Sequence, residues 1–241
     1  MHHLFNESAI HPPAERDRDE AILKPSDRAL IFDMDGILID TEPLWRRAEM
    51  DCFAELGLIL DEADCLLTQG QRIDEAVAFW FERAPWTGPS CAEVTAGIVA
   101  RLTDFVEREG VPMAGVREAL DWAARSNWRL ALASSSPSGL IECVLDRLEL
   151  VDRFEVARSA EGEEFGKPHP AVYLRTASDL RLDPSSCIAI EDSANGVLAA
   201  IAAGMRCVAV PPAETRDDPR FAEATICLNS LTELPNALRD V

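Results

Sequence analysis

Four short stretches of the chain are apolar at every position: Ala29-Leu30-Ile31-Phe32, Leu130-Ala131-Leu132-Ala133, Cys187-Ile188-Ala189-Ile190 and Cys207-Val208-Ala209-Val210. A strand with one wet face alternates apolar and polar residues, whereas a parallel strand covered on both faces does not, so each run predicts a buried parallel strand. Thr225-Ile226-Cys227-Leu228 predicts a late edge strand. Helical periodicity separates these runs over about residues 115–126, 137–148, 170–180 and 193–203. Strands alternating with helices predict an α/β fold with a doubly wound parallel sheet, and place ligand sites at the strands' C-terminal ends.

One stretch interrupts the alternation. From about residue 42 to 110 the patterning is helical throughout, with Phe79, Trp80 and Phe81 in one segment and Ile98, Leu102, Phe105 and Val106 at helical spacing in another. An all-helical block after the first strand predicts an inserted cap over residues 42–111, the core being 27–41 plus 112–241. Residues 1–26, charged and carrying Pro12-Pro13, read as a disordered extension, in which His2 and His3 are given no role.

Composition narrows the class. Hydrophobic residues make up 47% and charged residues 27% of 241, as in a packed globular protein. With 23 Lys and Arg against 43 Asp and Glu, the formal charge is −20. Such a surface repels nucleic-acid phosphates and anionic lipids, so neither is an expected partner, nor is an obligate protein partner evident. A small phosphorylated molecule stays compatible, because one local cation and a few amides can invert the field within a cleft. The seven cysteines are scattered without a C-x-x-C pair. They read as reduced thiols of a cytoplasmic protein, and no signal peptide or membrane span is found.

The candidate chemistry lies where the apolar runs end. Asp33-Met34-Asp35-Gly36 follows the first, and residues two apart on an extended chain face one way, so both carboxylates can address one site. The pair suits a nucleophile and an acid/base, or a metal or turn alone. Ser134-Ser135-Ser136 follows the second run and suits a phosphate at a helix N-terminus, or a helix cap. Lys167, between Gly166 and Pro168, is a rigidly presented cation or an exposed lysine. Glu191-Asp192 follows the third run and suits magnesium, or an ordinary helix start. His169, between two prolines, is read as structural.

This order of motifs resembles the haloacid dehalogenase superfamily, and the likeness extends over most of residues 29–241. Asp40-Thr41-Glu42-Pro43-Leu44-Trp45, Lys167-Pro168-His169-Pro170, Glu191-Asp192-Ser193 and Asp218-Pro219-Arg220-Phe221 are similar to those of the bacterial 2-deoxyglucose-6-phosphate or hexitol phosphatases. The resemblance implies a Rossmann-like core with a helical cap, and hydrolysis of a small phosphorylated metabolite such as a hexose or hexitol phosphate. Asp33 would attack phosphorus to form an aspartyl-phosphate, and Asp35 would protonate the leaving group and then activate water. Mg2+ would be held by Asp33, the Asp35 carbonyl and Asp192 with Glu191 in support, while Ser134, Ser135 and Lys167 bind the phosphoryl group.

Gly166 stands where relatives often carry Ser, which predicts one hydrogen bond fewer beside Lys167. Ala114 replaces a common hinge Pro, which predicts slightly looser cap closure. The related β-phosphoglucomutases are the rival reading, but they typically carry His where Trp45 stands, and an indole cannot exchange protons as an imidazole does. A non-catalytic sugar-phosphate binder is the third reading. Specificity is placed in the cap, with Arg72 of Gly70-Gln71-Arg72 as the substrate contact and Trp45 and Trp86 as pocket walls.

Overall fold

The computed structural model describes residues 26–239, so the expected disordered extension and both early histidines, all but Ser26, lie outside it. A six-stranded, wholly parallel sheet has the order β3-β2-β1-β4-β5-β6, with β1 Ala29–Phe32, β2 Arg129–Ser134, β3 Val156–Ser159, β4 Cys187–Glu191, β5 Arg206–Ala209 and β6 Ile226–Cys227. Five of these are anticipated by the sequence. The sixth, β3, is not: it is an edge strand of sequence Val-Ala-Arg-Ser, partly exposed along its length, so it lacks the unbroken apolar signature.

The two faces of the sheet differ in side-chain size. Leu30, Phe32, Leu130, Leu132, Ile188, Ile190, Val208 and Val210 fill one core cluster, whereas Ala29, Ile31, Ala131, Ala133, Cys187, Ala189, Cys207 and Ala209 fill the other. Helices α7 (Ala171–Leu180) and α8 (Ala194–Ala202) cover the small-residue face, and α8 meets it with Ala194, Ala199 and Ala200. The large-residue face packs α5 (Val116–Arg125) and α6 (Ser138–Leu148). All four helices fall within a residue or so of the ranges read from periodicity. The cysteines are free, and four of the seven are buried, Cys187 and Cys207 in strands as expected.

Between β1 and α5 lie α1 (Glu42–Glu55), α2 (Glu62–Leu66), α3 (Ile73–Arg83) and α4 (Cys91–Glu109), with no strand among them. Capping boxes, Asp61 with Asp64 and Ser90 with Glu93, fix the starts of α2 and α4. Phe53, Val77, Trp80, Ile98 and Leu102 are buried within this insert. Trp86 belongs there too: its ring meets Phe53 and Phe81 at centroid distances of 5.9 and 4.7 Å, and its indole donates to the Pro89 carbonyl at 3.0 Å. It therefore forms no pocket wall, because the aromatic cluster claims it.

The two crossings between core and insert are paired. Asp40 N donates to the Val111 carbonyl at 3.1 Å and Met113 N to the Leu38 carbonyl at 3.1 Å, so the segments run as a short antiparallel ribbon. No described helix is long and apolar enough to cross a membrane.

Candidate active site

Parallel strands end together, and the ends of β1, β2 and β4 carry Asp33, the Ser134–Ser136 run and Glu191-Asp192. Asp33 N is fixed to the Ile190 carbonyl at 2.9 Å. Lys167 arrives from the loop before α7 and is almost wholly buried. Its ammonium reaches Asp33 Oδ1 at 2.7 Å, Glu191 Oε1 at 2.6 Å and the Ala133 carbonyl at 3.2 Å. A lysine without such partners could not stay charged there. Burial favours the neutral amine, but the charges of Asp33 and Glu191 hold it protonated above its ordinary range.

Glu191 is fully committed. Its Oε1 also accepts from the Tyr173 hydroxyl at 2.6 Å, and its Oε2 from Ser193 N and Oγ at 3.3 and 3.2 Å. Its carboxylate packs against the first turn of α8 where a Cβ on Gly196 would come within 1.9 Å, so only glycine fits that position. Asp192 turns its carboxylate into the cavity instead. Its Oδ2 lies 2.2 Å from where a Cβ on Gly36 would stand, and Gly36 adopts φ +70° in the turn after Asp35.

Asp33, Glu191 and Asp192 offer carboxylate oxygens within 4.8 Å of one another, all buried. Lys167 is the cation that contacts this group, leaving an excess of negative charge. Burial pushes the Asp33 carboxyl up to about 8, with Lys167 opposing and Glu191 and Asp35 adding to the rise. Burial, then Asp33 and Glu191, push Asp192 well up too. An all-oxygen donor set carrying excess charge fits a hard divalent cation. Lys167, Tyr173 and Ser193 engage both oxygens of Glu191, so Asp33 and Asp192 are the carboxylates of this group less fully committed within the protein.

Asp35 faces elsewhere. Its Oδ1 accepts from the Thr41 hydroxyl and from Trp45 Nε1 at 3.0 Å, and its Oδ2 from Ser136 Oγ at 2.7 Å and Ser134 Oγ at 3.5 Å. Ser134 is thus buried behind the site as a support for Asp35 and for Ser136 N, which donates to it at 3.0 Å. Ser135 and Ser136 line the cavity with Asp33, Asp35, Lys167 and Asp192.

Arg72 does not join them. Its guanidinium is held by Asp74 and by the Ala160 and Glu163 carbonyls, clamping the start of α3 to the loop that leads to Lys167. Neighbouring Glu75 accepts from Gly166 N at 2.9 Å. The cavity wall opposite the strands is instead α1, through Glu42, Trp45, Arg46 and Glu49, with Gln69 and Gln71 beside it. Trp45 lines the cavity as expected, whereas Glu42, Arg46 and Glu49, at spacings of three and four on the same helix, and Tyr173 on α7 escaped the sequence reading. The 42–49 spacing is the legible signal of the helix α1 residues.

The comparisons agree with this architecture. The haloacid dehalogenase-like hydrolase family matches residues 28–204. Hexitol phosphatase B of Escherichia coli (strain K12) is 47% identical over 207 residues, covering 86% of this chain and 93% of that protein. CbbY from Rhodobacter sphaeroides, solved with phosphate, superposes with a TM-score of 0.77 at 31% identity, covering 86% of this chain and 96% of that one. β-Phosphoglucomutase from Clostridium difficile shares the fold at a TM-score of 0.74 and 23% identity, over 86% and 92% of the two chains. With the Asp33–Lys167–Glu191 cluster at its strand ends and a match across most of its length, the chain belongs to the haloacid dehalogenase-like hydrolases.

Proposed function

We propose that this chain is a magnesium-dependent phosphatase that hydrolyses hexose or hexitol phosphates through an aspartyl-phosphate on Asp33. The observation that carries the reading is the buried Lys167 bridge to Asp33 and Glu191, beside Asp192, in a cavity walled by polar side chains of α1. The 47% identity to a hexitol phosphatase supports the substrate class.

Lys167 occupies Asp33 Oδ1, which leaves Oδ2 to attack phosphorus while the bond to the leaving oxygen breaks. Asp35 gives its proton to that departing alkoxide. Its carboxylate then takes a proton from water as the water attacks phosphorus, the P–Oδ2 bond breaks, and phosphate leaves. Lys167 and Ser135 hold the spread negative charge. Mg2+ at Asp33, Asp192 and the Asp35 carbonyl would neutralise phosphoryl charge and favour ionised Asp33. Thr41, Trp45 and Ser136 hold Asp35 ready at the mouth of the cavity, with Trp45 replacing a proton-exchanging imidazole. Free thiols and an acidic surface suit the cytoplasm.

Phosphate release from a panel of sugar and polyol phosphates, with and without magnesium, tests the proposal. Turnover should need magnesium and vanish in Asp33→Asn; an inactive wild type or an active Asp33→Asn overturns it. Conversion of β-glucose 1-phosphate to glucose 6-phosphate without free phosphate would establish the mutase reading instead.

A further inference from the structure

Glu49 lies on α1, one turn beyond Trp45 and Arg46, and lines the cavity that holds Asp33 and Lys167. It is only 9% exposed, yet its Oε2 finds no hydrogen-bond partner among the described residues. Buried carboxyl oxygens are normally satisfied, so an orphan on a side chain that lines a cavity calls for a donor from a ligand. Cys65, Ile73 and Ala76 line the same cavity and bring no strong donor of their own. The mechanism above does not use Glu49.

We propose that Glu49 is the residue that recognises substrate hydroxyl groups, its carboxyl hydrogen-bonding hydroxyls on the carbon chain beyond the phosphoryl group. It thereby sets a preference for polyhydroxylated phosphates over alkyl or aryl phosphates. This rests on the phosphatase reading and extends it to specificity. A substrate amine is the other donor that a carboxyl would attract, and two observations stand against it. Arg46 lines the same cavity, so an ammonium would meet a like charge. Burial, and then the Glu42 charge, raise the Glu49 carboxyl to about 8, so near neutrality it is an acid group that both accepts and donates, as a diol requires.

A pocket built to bond a hydroxyl rejects analogues that lack it far more strongly than an apolar pocket discriminates by size. The test compares kcat/KM for a hexitol 6-phosphate, glucose 6-phosphate, glucosamine 6-phosphate and phenyl phosphate. Wild type should favour the two hydroxyl-rich substrates over the amino sugar and the aryl ester. Glu49→Leu should lower kcat/KM for them about 10- to 100-fold while leaving phenyl phosphate within about threefold. Glu49→Gln, which keeps an acceptor, should stay within about fivefold of wild type on all four. A parallel Glu49→Ala variant, with melting curves for each protein, separates lost recognition from lost folding.

Equal losses on phenyl and hexitol phosphates, or no loss on either, would overturn the assignment while phosphatase activity stands. Preference for glucosamine 6-phosphate that disappears in Glu49→Gln would replace hydroxyl recognition by amine recognition. A wild type that releases phosphate from none of the four sinks this proposal and the phosphatase reading together.

Discussion

The Trp45 indole donates to Asp35 Oδ1 at 3.0 Å, tying the first helix of the insert to the core turn that carries the second aspartate. Where Asp35 acts as acid and base, its orientation therefore depends on a side chain of the insert. Trp45→Phe keeps the ring and removes this donor. One hydrogen bond to a charged group contributes roughly 1.5–3 kcal/mol, so kcat should fall by about 10- to 100-fold with KM nearly unchanged. Asp35→Asn should fall further, by about 10²–10⁴. Steady-state kinetics of the two variants check this, and a change confined to KM would assign Trp45 to binding alone.

Lys167 stands between two buried carboxylates, and its removal leaves both without their cation. Breaking a buried ion pair from one side typically costs roughly 3–5 kcal/mol. Lys167→Ala should therefore lower the melting temperature by about 10 °C as well as abolish turnover. Adding Asp33→Asn to that variant removes one of the stranded charges and should recover part of the loss. Thermal melts without added metal decide it; a double variant no more stable than Lys167→Ala would contradict the charge account.

Gly36 admits the Asp192 carboxylate at a distance no Cβ would allow, and does so at positive φ. Gly36→Ala is predicted to push Asp192 away and to weaken cation binding by about 10- to 100-fold, comparable to loss of a group that orients a ligand. Magnesium titration of phosphatase activity reads this directly, after removal of bound metal with EDTA. An unchanged half-saturation point would exclude the crowding argument.

Glu49 also predicts a slope of stability with pH. Its folded-state value of about 8 lies above the ordinary 4.5, so the folded protein keeps a proton that the unfolded chain releases sooner. Stability is then fully present below about 5 and declines as pH rises towards 8. Glu42, raised to about 7 by burial and by Asp35, contributes with the same sign. Glu49→Gln should raise the melting temperature by several degrees at pH 8.5 and leave it nearly unchanged at pH 5. Equal shifts at the two pH values would rule out the titration.

How far the sequence alone reaches depends on how local the signal is. Asp33, Lys167 and Asp192 stand directly after strands or between Gly and Pro, and the structure brings all three to one cavity. The unbroken apolar runs expose four central strands because both faces are covered, and β3 escapes because an edge strand tolerates Arg158. The hydroxyl and position of Ser134 suit an anion, but which way each serine of a three-residue run points is decided by the turn, and the turn directs the Ser134 and Ser136 hydroxyls to Asp35. Arg72 misleads for a similar reason. Its charge suits a substrate, but the Ala160 and Glu163 carbonyls come from 88 and 91 residues away and capture it.

The stripe of Glu42, Trp45, Arg46 and Glu49 lies on one helix, whereas Asp33, Lys167, Glu191 and Asp192 come from chain segments on the other side of the paired crossings. If Glu49 reads the substrate as proposed, the enzyme's diet can be retuned by exchanging a few side chains on two turns of α1, with the phosphoryl machinery left untouched. Trp45 is the exception, since it lines the cavity and also holds Asp35.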